Sequence, residues 1–200
     1  MRKPLLIVFL VLLVDQAIKF YVKTHFFLGE EYRVAGNWFI LHFTENNGMA
    51  FGMEFAGRYG KLFLSSFRIA AVAGIGWYLY DLVRKKAPMG LLISISLILA
   101  GALGNIIDSS FYGLLFSDSN YEIASFLPKG GGYAGFLHGR VVDMFYFPIL
   151  EGHFPSWFPI WGTEEFIFFR PVFNFSDSSI SVGVFMILLF QKKFFPKKID

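Results

Sequence analysis

The chain contains no cysteine among its 200 residues. This absence excludes a disulfide framework, a thiol nucleophile and a cysteine metal site. The histidines lack the spacing of metal ligands, and no His-Glu-x-x-His pattern occurs. They are His25, His42, His138 and His153. Charged residues make up only 16% of the chain, against roughly 25% in soluble domains. We therefore expect no metal, no cofactor and no ordinary soluble fold.

The chain is rich in long apolar segments. Hydrophobic residues make up 55% of the chain, which includes 27 phenylalanines. Segments of roughly 20 apolar residues are long enough to cross a membrane. The sequence therefore predicts a single-domain, α-helical, polytopic membrane protein with four transmembrane helices. The predicted spans are about 4–26, 62–83, 89–116 and 177–195. The first resembles a signal peptide, but the polar pair Asp15-Gln16 follows its apolar core, which indicates a retained helix.

The positions of the basic residues predict the topology. Three short stretches (2–3, 84–86 and 192–198) hold nine of the 18 lysines and arginines. Four spans place all three stretches on one side, which the positive-inside rule makes cytoplasmic. Both termini are then cytoplasmic, and the longer connections, about 27–61 and 117–176, face outward. The basic residues leave no patch for a nucleic acid.

The first outward connection has the composition of a small sheet. Residues 32–35 and 37–44 are rich in β-branched and aromatic side chains, and Gly36-Asn37 between them is a turn signal. We expect a small antiparallel β-sheet on the membrane surface. The second connection is rich in glycine, proline and aromatic residues, which suit the membrane interface.

Two aspartates at the edges of apolar segments are the strongest functional candidates. Asp143 lies between Val-Val and Met-Phe-Tyr-Phe, where desolvation raises the pKa of a carboxyl group. Asp177 lies near the start of the last span, where a carboxylate is stabilised by backbone N–H groups. One protonated and one ionised carboxyl group make an acid–base pair. The alternative is a helix N-cap at Asp177 and an unrelated acid at Asp143.

Three further polar groups allow a structural as well as a functional interpretation. Asp15 and Lys19 share one helix face, where they either neutralise each other or take part in chemistry. Asn46, followed by Asn-Gly, either ends a hairpin or binds an extended peptide. Asn105 and Asp108 share a face of the third span, beside small residues that permit close helix packing. They either orient other polar groups or bond between helices.

Together and in order, these motifs resemble those of the bacterial lipoprotein signal peptidases, signal peptidase II. The resemblance covers nearly the whole chain and rests on five motifs in sequence across four spans. The motifs are Asp15-Gln-x-x-Lys19, Asn46-x-Gly48-x-Ala-Phe51, Gly104-Asn105-x-x-Asp108, Val141-Val-Asp143 and Phe173-Asn174-x-x-Asp177.

The resemblance implies an aspartyl endopeptidase without a metal or cofactor. Such an enzyme cuts the signal peptide from diacylglyceryl-modified prolipoproteins, just before the lipidated cysteine. It implies four helices, an outer β-cradle and a mobile loop over the site, in the bacterial inner membrane. It assigns catalysis to Asp143 and Asp177. It assigns support of the pocket to Asp15, Lys19, Asn46, Gly48, Asn105, Asp108 and Asn174. The expected partners are the prolipoprotein, membrane lipid and the inhibitor globomycin, and we expect a monomer.

The sequence departs from the family pattern near Asp108. The family commonly has arginine at the next position, where this chain has Ser109, and we include Arg140 in the support set as a replacement for that charge. The family's alanine before the last aspartate is Ser176 here. Asp177 lies 34 positions after Asp143, which exceeds the family's usual spacing. The gap between Asp108 and Asp143 does so too, and both predict enlarged outer loops.

Two other functions remain open at this stage. Intramembrane acids are also expected in a small ion-coupled transporter, although the chain lacks the repeat symmetry of many carriers. A lipid-binding or assembly protein, in which Asp177 only caps a helix, is the third possibility.

Overall fold

The computed structural model describes residues 2–47, 57–148, 150–153, 157, 165–168 and 171–196. The α-helices are α1 (Arg2–His25), α2 (Gly57–Arg84), α3 (Met89–Ile107), α4 (Gly113–Leu115), α5 (Phe175–Leu189) and α6 (Gln191–Phe194). The strands are β1 (Glu31–Ala35), β2 (Phe39–Asn46), β3 (Val141–Tyr146), β4 (Leu150–His153), β5 (Glu165–Phe168) and β6 (Val172–Phe173).

Three helices are long and apolar enough to cross a membrane. They cover Arg2–His25, Gly60–Arg84 and Met89–Leu115, with 24, 25 and 27 residues. The third is continuous through a π-helical turn, Asp108–Tyr112, between α3 and α4. The predicted fourth span, 177–195, coincides with α5 and α6, but the 15 residues of α5 cover only about 22 Å at ~1.5 Å per residue. The described chain thus has three membrane-length helices and a shorter apolar one.

A four-stranded antiparallel sheet lies where α1 and α3 end and α5 begins. The strand order is β1-β2-β3-β6, and we call this end of the helices the sheet end. The register places Thr44 opposite Asp143 and Asn46 opposite Val141. The predicted hairpin of β1 and β2 is confirmed. The sheet also takes β3 and β6 from the second connection, which the sequence analysis did not predict. A separate pair, β4 and β5, is also antiparallel.

Two apolar clusters hold these elements together. One lies between α1, α2 and α3, and its buried members include Val8, Leu79, Leu82, Leu91, Ile95 and Leu99. The other lies under the sheet and includes Val22, Phe43, Phe116, Val142 and Met144. The second cluster fixes β3 against the end of α1, which places the other face of β3 toward α5.

Glycines let α3 and α5 approach closely at the sheet end. A methyl group at Gly104 would lie 2.6 Å from Oδ2 of Asp15 and would collide with the hydroxyl of Ser176. A methyl group at Gly101 would collide with the backbone oxygen of Ser176. The small residues of α3 are therefore required by the packing of α5, as the sequence predicted.

We expect Gly104→Ala to destabilise the fold by about 1–3 kcal/mol, because the new methyl group overpacks the contact between α3 and α5. Thermal unfolding in detergent micelles measures the effect. Gly74→Ala on α2 is the matched control, since its methyl group would meet no described atom within 4 Å. Equal unfolding temperatures for the two variants would contradict this account of the packing.

Candidate active site

Asp143 and Asp177 come together because β3 passes the N-terminus of α5. Asn174 caps that helix: its side chain accepts from the backbone N–H of Asp177, and its own N–H donates to Asp177 Oδ2 at 3.3 Å. The same Asn174 side chain donates to Asp143 Oδ1 at 2.7 Å. Asn174 therefore holds both carboxyl groups at once. The alternative interpretation, in which Asp177 is itself the N-cap, is wrong, because α5 begins at Phe175 and Asn174 occupies the cap.

A second asparagine completes the support of Asp177. Asn105 on α3 donates from its amide to Asp177 Oδ1 at 2.9 Å, and it accepts from the amide of Asn174 at 3.1 Å. Each oxygen of Asp177 therefore accepts one hydrogen bond from an N–H group of an asparagine. Asp177 as a whole is only partly buried.

Asp143 occupies a more apolar position. Asp143 is only 4% exposed, and the Asn46 side chain on the neighbouring strand donates a hydrogen bond to its Oδ2. Desolvation by burial, followed by the nearby charge of Asp177, raises the pKa of Asp143 to about 7. The two carboxyl groups therefore differ in environment, which is the arrangement that separates an acid from a base.

Beneath the pair, Lys19 makes three buried contacts. Its ammonium group lies 3.0 Å from Asp15 Oδ2 and 2.7 Å from Asp108 Oδ2, and it donates to Asn105 Oδ1 at 3.0 Å. The side chains of Lys19, Asp15 and Asp108 are 0% exposed. The predicted ion pair between Asp15 and Lys19 is present, and Asp108 is its third member. Lys19 thus supplies the positive charge beside Asp108. The residue that follows Asp108 in sequence is Ser109, at the position where the family pattern has arginine.

The carboxylates of this ion cluster also accept hydrogen bonds from the backbones of α5 and β3. Asp15 Oδ1 accepts from the N–H of Ser176 at 2.9 Å, in the first turn of α5. Asp108 Oδ2 accepts from the N–H of Val142 at 3.4 Å, beside Asp143. Gln16 donates to both carboxylates at 3.0 Å. The cluster therefore fixes α5 and β3 relative to α1 and α3.

Arg140 belongs to a different cluster on the opposite face of β2 and β3. Its guanidinium lies 3.2 Å from Glu45 Oε2 and 3.0 Å from Asp118 Oδ1. Lys23, at the end of α1, pairs with the other oxygen of Glu45 and donates to Ser119 at 2.8 Å. Glu45 directly precedes Asn46, so this cluster bears on the strand that supplies a hydrogen bond to Asp143.

The structure thus brings together most of the predicted site residues. Those that meet around the two carboxyl groups are Asp15, Lys19, Asn46, Asn105, Asp108, Asp143, Asn174 and Asp177. Arg140 contacts Glu45 and Asp118, and Ser109 donates to the backbone of Asn105 at 3.0 Å. Gly48 lies outside the described residues.

Two contributors, Gln16 and Glu45, were not predicted to belong to the site. Each stands next to a predicted residue in the sequence, and that position was the available signal. Arg68 on α2, which is a candidate because of its intramembrane charge, interacts electrostatically with Asp177 and Asp143. In the described part of the chain, no group of three or more His, Asp or Glu side chains is arranged to hold a metal ion.

Fold and site together define a polytopic membrane protein with a carboxyl pair suited to activating water. A family profile described as signal peptidase (SPase) II matches residues 7–193. The lipoprotein signal peptidase of Porphyromonas gingivalis is 55% identical over 184 residues, which cover 92% of this chain and 80% of the relative. That of Amoebophilus asiaticus is 36% identical over 186 residues, covering 92% and 75%. The chain belongs to the signal peptidase II family.

A solved structure described as a bacterial membrane enzyme shares the fold. It matches with a TM-score of 0.61 at 24% identity and covers 100% of this chain and 94% of its own. The family relation supports a protease that removes signal peptides from prolipoproteins, and it gives no support to the transporter alternative.

Proposed function

We propose that the chain is a membrane aspartyl endopeptidase that cleaves diacylglyceryl-modified prolipoproteins before the lipidated cysteine. The observation that carries this proposal is the joint support of Asp143 and Asp177 by the side chain and backbone of Asn174. A pair held in this way is oriented before substrate arrives, which lowers the entropic cost of reaching the transition state.

In the proposed mechanism Asp177 is the base and Asp143 the acid. Asp177, ionised and partly exposed, takes a proton from a water molecule, whose oxygen attacks the scissile carbonyl carbon. Asp143, protonated, donates a hydrogen bond to the carbonyl oxygen as charge develops there. Collapse of the tetrahedral intermediate breaks the C–N bond, and the proton held by Asp177 passes to the leaving amine. The pair titrates as a unit, so these roles describe its active protonation state.

The remaining family residues act through the pair. We propose that Asp15, Lys19 and Asp108 fix the two backbones that carry it, and that Asn105 orients Asp177. Asn46 and Gly48 belong to the segment that the family uses to bind the peptide. The proposal places lipid beside the helices and globomycin in the same site as the substrate, and it takes the enzyme as a monomer.

We further propose that four helices cross the bacterial inner membrane, with both termini in the cytoplasm and the sheet end outside. The distribution of basic residues supports this orientation, since Arg2 and Arg84 lie at the end of the bundle away from the sheet. The apolar α5, whose first turn holds Asp177, is the fourth span in this proposal. Because α5 is shorter than a usual span, we propose that the bilayer is locally thinner beside the site.

Arg140 is proposed as a positioning residue. It clamps Glu45 to Asp118, and its backbone N–H donates to the Tyr133 hydroxyl at 2.6 Å. Desolvation opposes ionisation of Asp118, but the hydrogen bonds from Arg140 and from the backbone of Asn120, together with the charges of Arg140 and Lys23, lower the pKa of Asp118. The ion pair of Arg140 with Asp118 therefore persists at neutral pH, and Arg140 holds β2 beside Asp143 through Glu45.

We expect Arg140→Gln to lower kcat by about 10-fold or more with a small change in KM, because misplaced catalytic groups cost rate even when substrate still binds. Steady-state cleavage of a fluorogenic lipopeptide measures both constants. Arg33→Gln, on the exposed strand β1, is the matched control. A kcat equal to that of the control would contradict the positioning role.

The proposed acid predicts a pH dependence. Because the pKa of Asp143 is raised to about 7, its proton is present below that pH and is lost above it. We therefore expect kcat/KM to fall as pH rises through about 7. Initial rates between pH 5 and pH 9 measure the profile, and a rate that stays constant to pH 9 would contradict the assignment of the acid.

Inhibition in the same assay tests the proposed function. Purified protein is expected to cleave the lipopeptide, and globomycin is expected to stop the reaction. A transporter would instead move substrate across vesicles without cleaving it. Purified protein that leaves the lipopeptide intact would refute the proposal.

A further inference from the structure

We propose that the loop of residues 116–139 is a lipid-contacting surface that inserts Phe126, Leu127 and Phe136 into the leaflet at the sheet end. The inference concerns a part of the chain outside the catalytic site. It holds independently of the peptide that the site cleaves.

The loop folds back along the end of the third long helix. Its backbone N–H groups donate to carbonyl oxygens of that helix: Leu127 to Leu115 at 2.7 Å, Ala134 to Gly113 at 2.9 Å and Gly139 to Ser109 at 2.8 Å. Irregular backbone is tolerated at membrane depth only where its polar groups are satisfied by the protein. The hydrogen bonds above meet that requirement for the backbone N–H groups of Leu127, Ala134 and Gly139.

Aromatic rings join the loop to the exposed faces of two membrane-length helices. The rings of Phe126 and Phe20 lie 5.2 Å apart, and those of Phe136 and Phe111 lie 5.8 Å apart. All four side chains are exposed in the protein alone, between 41% and 54%. The apolar surface of the loop is therefore continuous with side chains of α1 and of the π-helical turn.

These contacts lie within the length of the two helices and not at their ends. Phe20 precedes the end of α1 at His25 by five residues, about 7.5 Å along the axis at ~1.5 Å per residue. Phe111 precedes the end of the third span at Leu115 by four residues, about 6 Å on the same scale. Phe126 and Phe136, which pack against them, lie at comparable depth.

Leu127 has an unfavourable backbone conformation. Its φ is +51°, a left-handed value that is unfavourable for a bulky residue. The side chain is 62% exposed, so burial within the protein offers little in return. Contact with acyl chains would bury it, and Lys129, exposed two residues later, suits the lipid headgroups.

The opposite side of the loop is polar, which gives it an amphipathic character. Asp118 and Ser119 bind Arg140 and Lys23, and Tyr121 at the tip is 96% exposed. Phe126 packs beside Phe20, whereas Ser119 reaches Lys23, nearer the end of α1. We therefore place this tip on the aqueous side of the interface and only the apolar side of the loop in lipid.

The absence of cysteine from the chain makes a direct test possible. Single variants Phe126→Cys, Leu127→Cys and Phe136→Cys carry a nitroxide label in vesicles of phosphatidylethanolamine and phosphatidylglycerol. Power saturation compares accessibility to oxygen, which concentrates in lipid, with accessibility to a water-soluble nickel chelate. Tyr121→Cys is the aqueous control from the same loop, and Leu13→Cys, exposed on α1, is the lipid control.

At the three loop positions we expect the ratio of oxygen to nickel accessibility to be similar to that of Leu13→Cys. This ratio is then several-fold above that of Tyr121→Cys. Nickel accessibility equal to that at Tyr121→Cys would overturn the proposal. Protection from both reagents would also overturn it, since a protein partner would then cover the surface. Circular dichroism and gel filtration verify the fold of each variant without reference to peptidase activity, and Leu127→Cys perturbs no ring contact.

Discussion

Asp143→Asn and Asp177→Asn are each expected to lower kcat/KM for lipopeptide cleavage by about 10³-fold or more. General acid and general base catalysis each contribute on the order of 10²–10⁴-fold, and the pair depends on both members. Asparagine preserves the shape of either side chain but can neither accept the proton from water as a base nor donate an acidic proton. Initial rates with purified variants measure the loss.

The control for both variants is Asp81→Asn. Asp81 lies on α2 and pairs with Lys85 at 2.6 Å, with 31% of its side chain exposed. We expect this variant to retain wild-type activity. Wild-type cleavage by either Asp143→Asn or Asp177→Asn, with the protein folded, would show that the pair does not perform the reaction.

Lys19→Met is expected to have the largest effect on stability. The variant leaves Asp15 and Asp108, both fully buried, without their cation. Removing one partner of a buried ion pair costs about 3–5 kcal/mol. Because the two carboxylates also accept hydrogen bonds from the N–H groups of Ser176 and Val142, we expect their rearrangement to displace α5 and β3, which carry the proposed catalytic pair. The free energy of unfolding in mixed micelles measures the first effect, and the cleavage rate measures the second.

Lys85→Met supplies a matched comparison within the same chain. Lys85 and Asp81 have the same four-residue spacing as Lys19 and Asp15, but the Lys85 side chain is 70% exposed. Exposed pairs of this type contribute only about 0.3–0.5 kcal/mol. A loss of stability in Lys19→Met no greater than that in Lys85→Met would contradict the proposed role of the buried cluster.

The sequence predicted those features that depend on local composition. The long apolar segments gave the three membrane-length helices within a few residues, and the turn at Gly36-Asn37 gave the first hairpin. Intramembrane charge identified Asp15 and Lys19 because an ion in that environment requires a partner. The ordered motifs then selected Asp143 and Asp177 from the other acids.

Features that depend on distant parts of the chain were not predictable in the same way. The addition of β3 and β6 to the sheet joins residues about a hundred positions apart, and no local pattern specifies such pairing. The capping role of Asn174 depended on whether α5 began at residue 175 or 177, and helix ends are uncertain by one or two residues. The contacts of Arg140 with Glu45 and Asp118 depend on the tertiary position of the loop of residues 116–139.

The most direct test of the proposed function is the mass of the products that purified protein in lipid nanodiscs forms from a diacylglyceryl-modified prolipoprotein peptide. We expect two products, a free signal peptide and a mature peptide that begins with the lipidated cysteine, and neither in the presence of globomycin. An intact substrate, or a cut at any other bond, would contradict it.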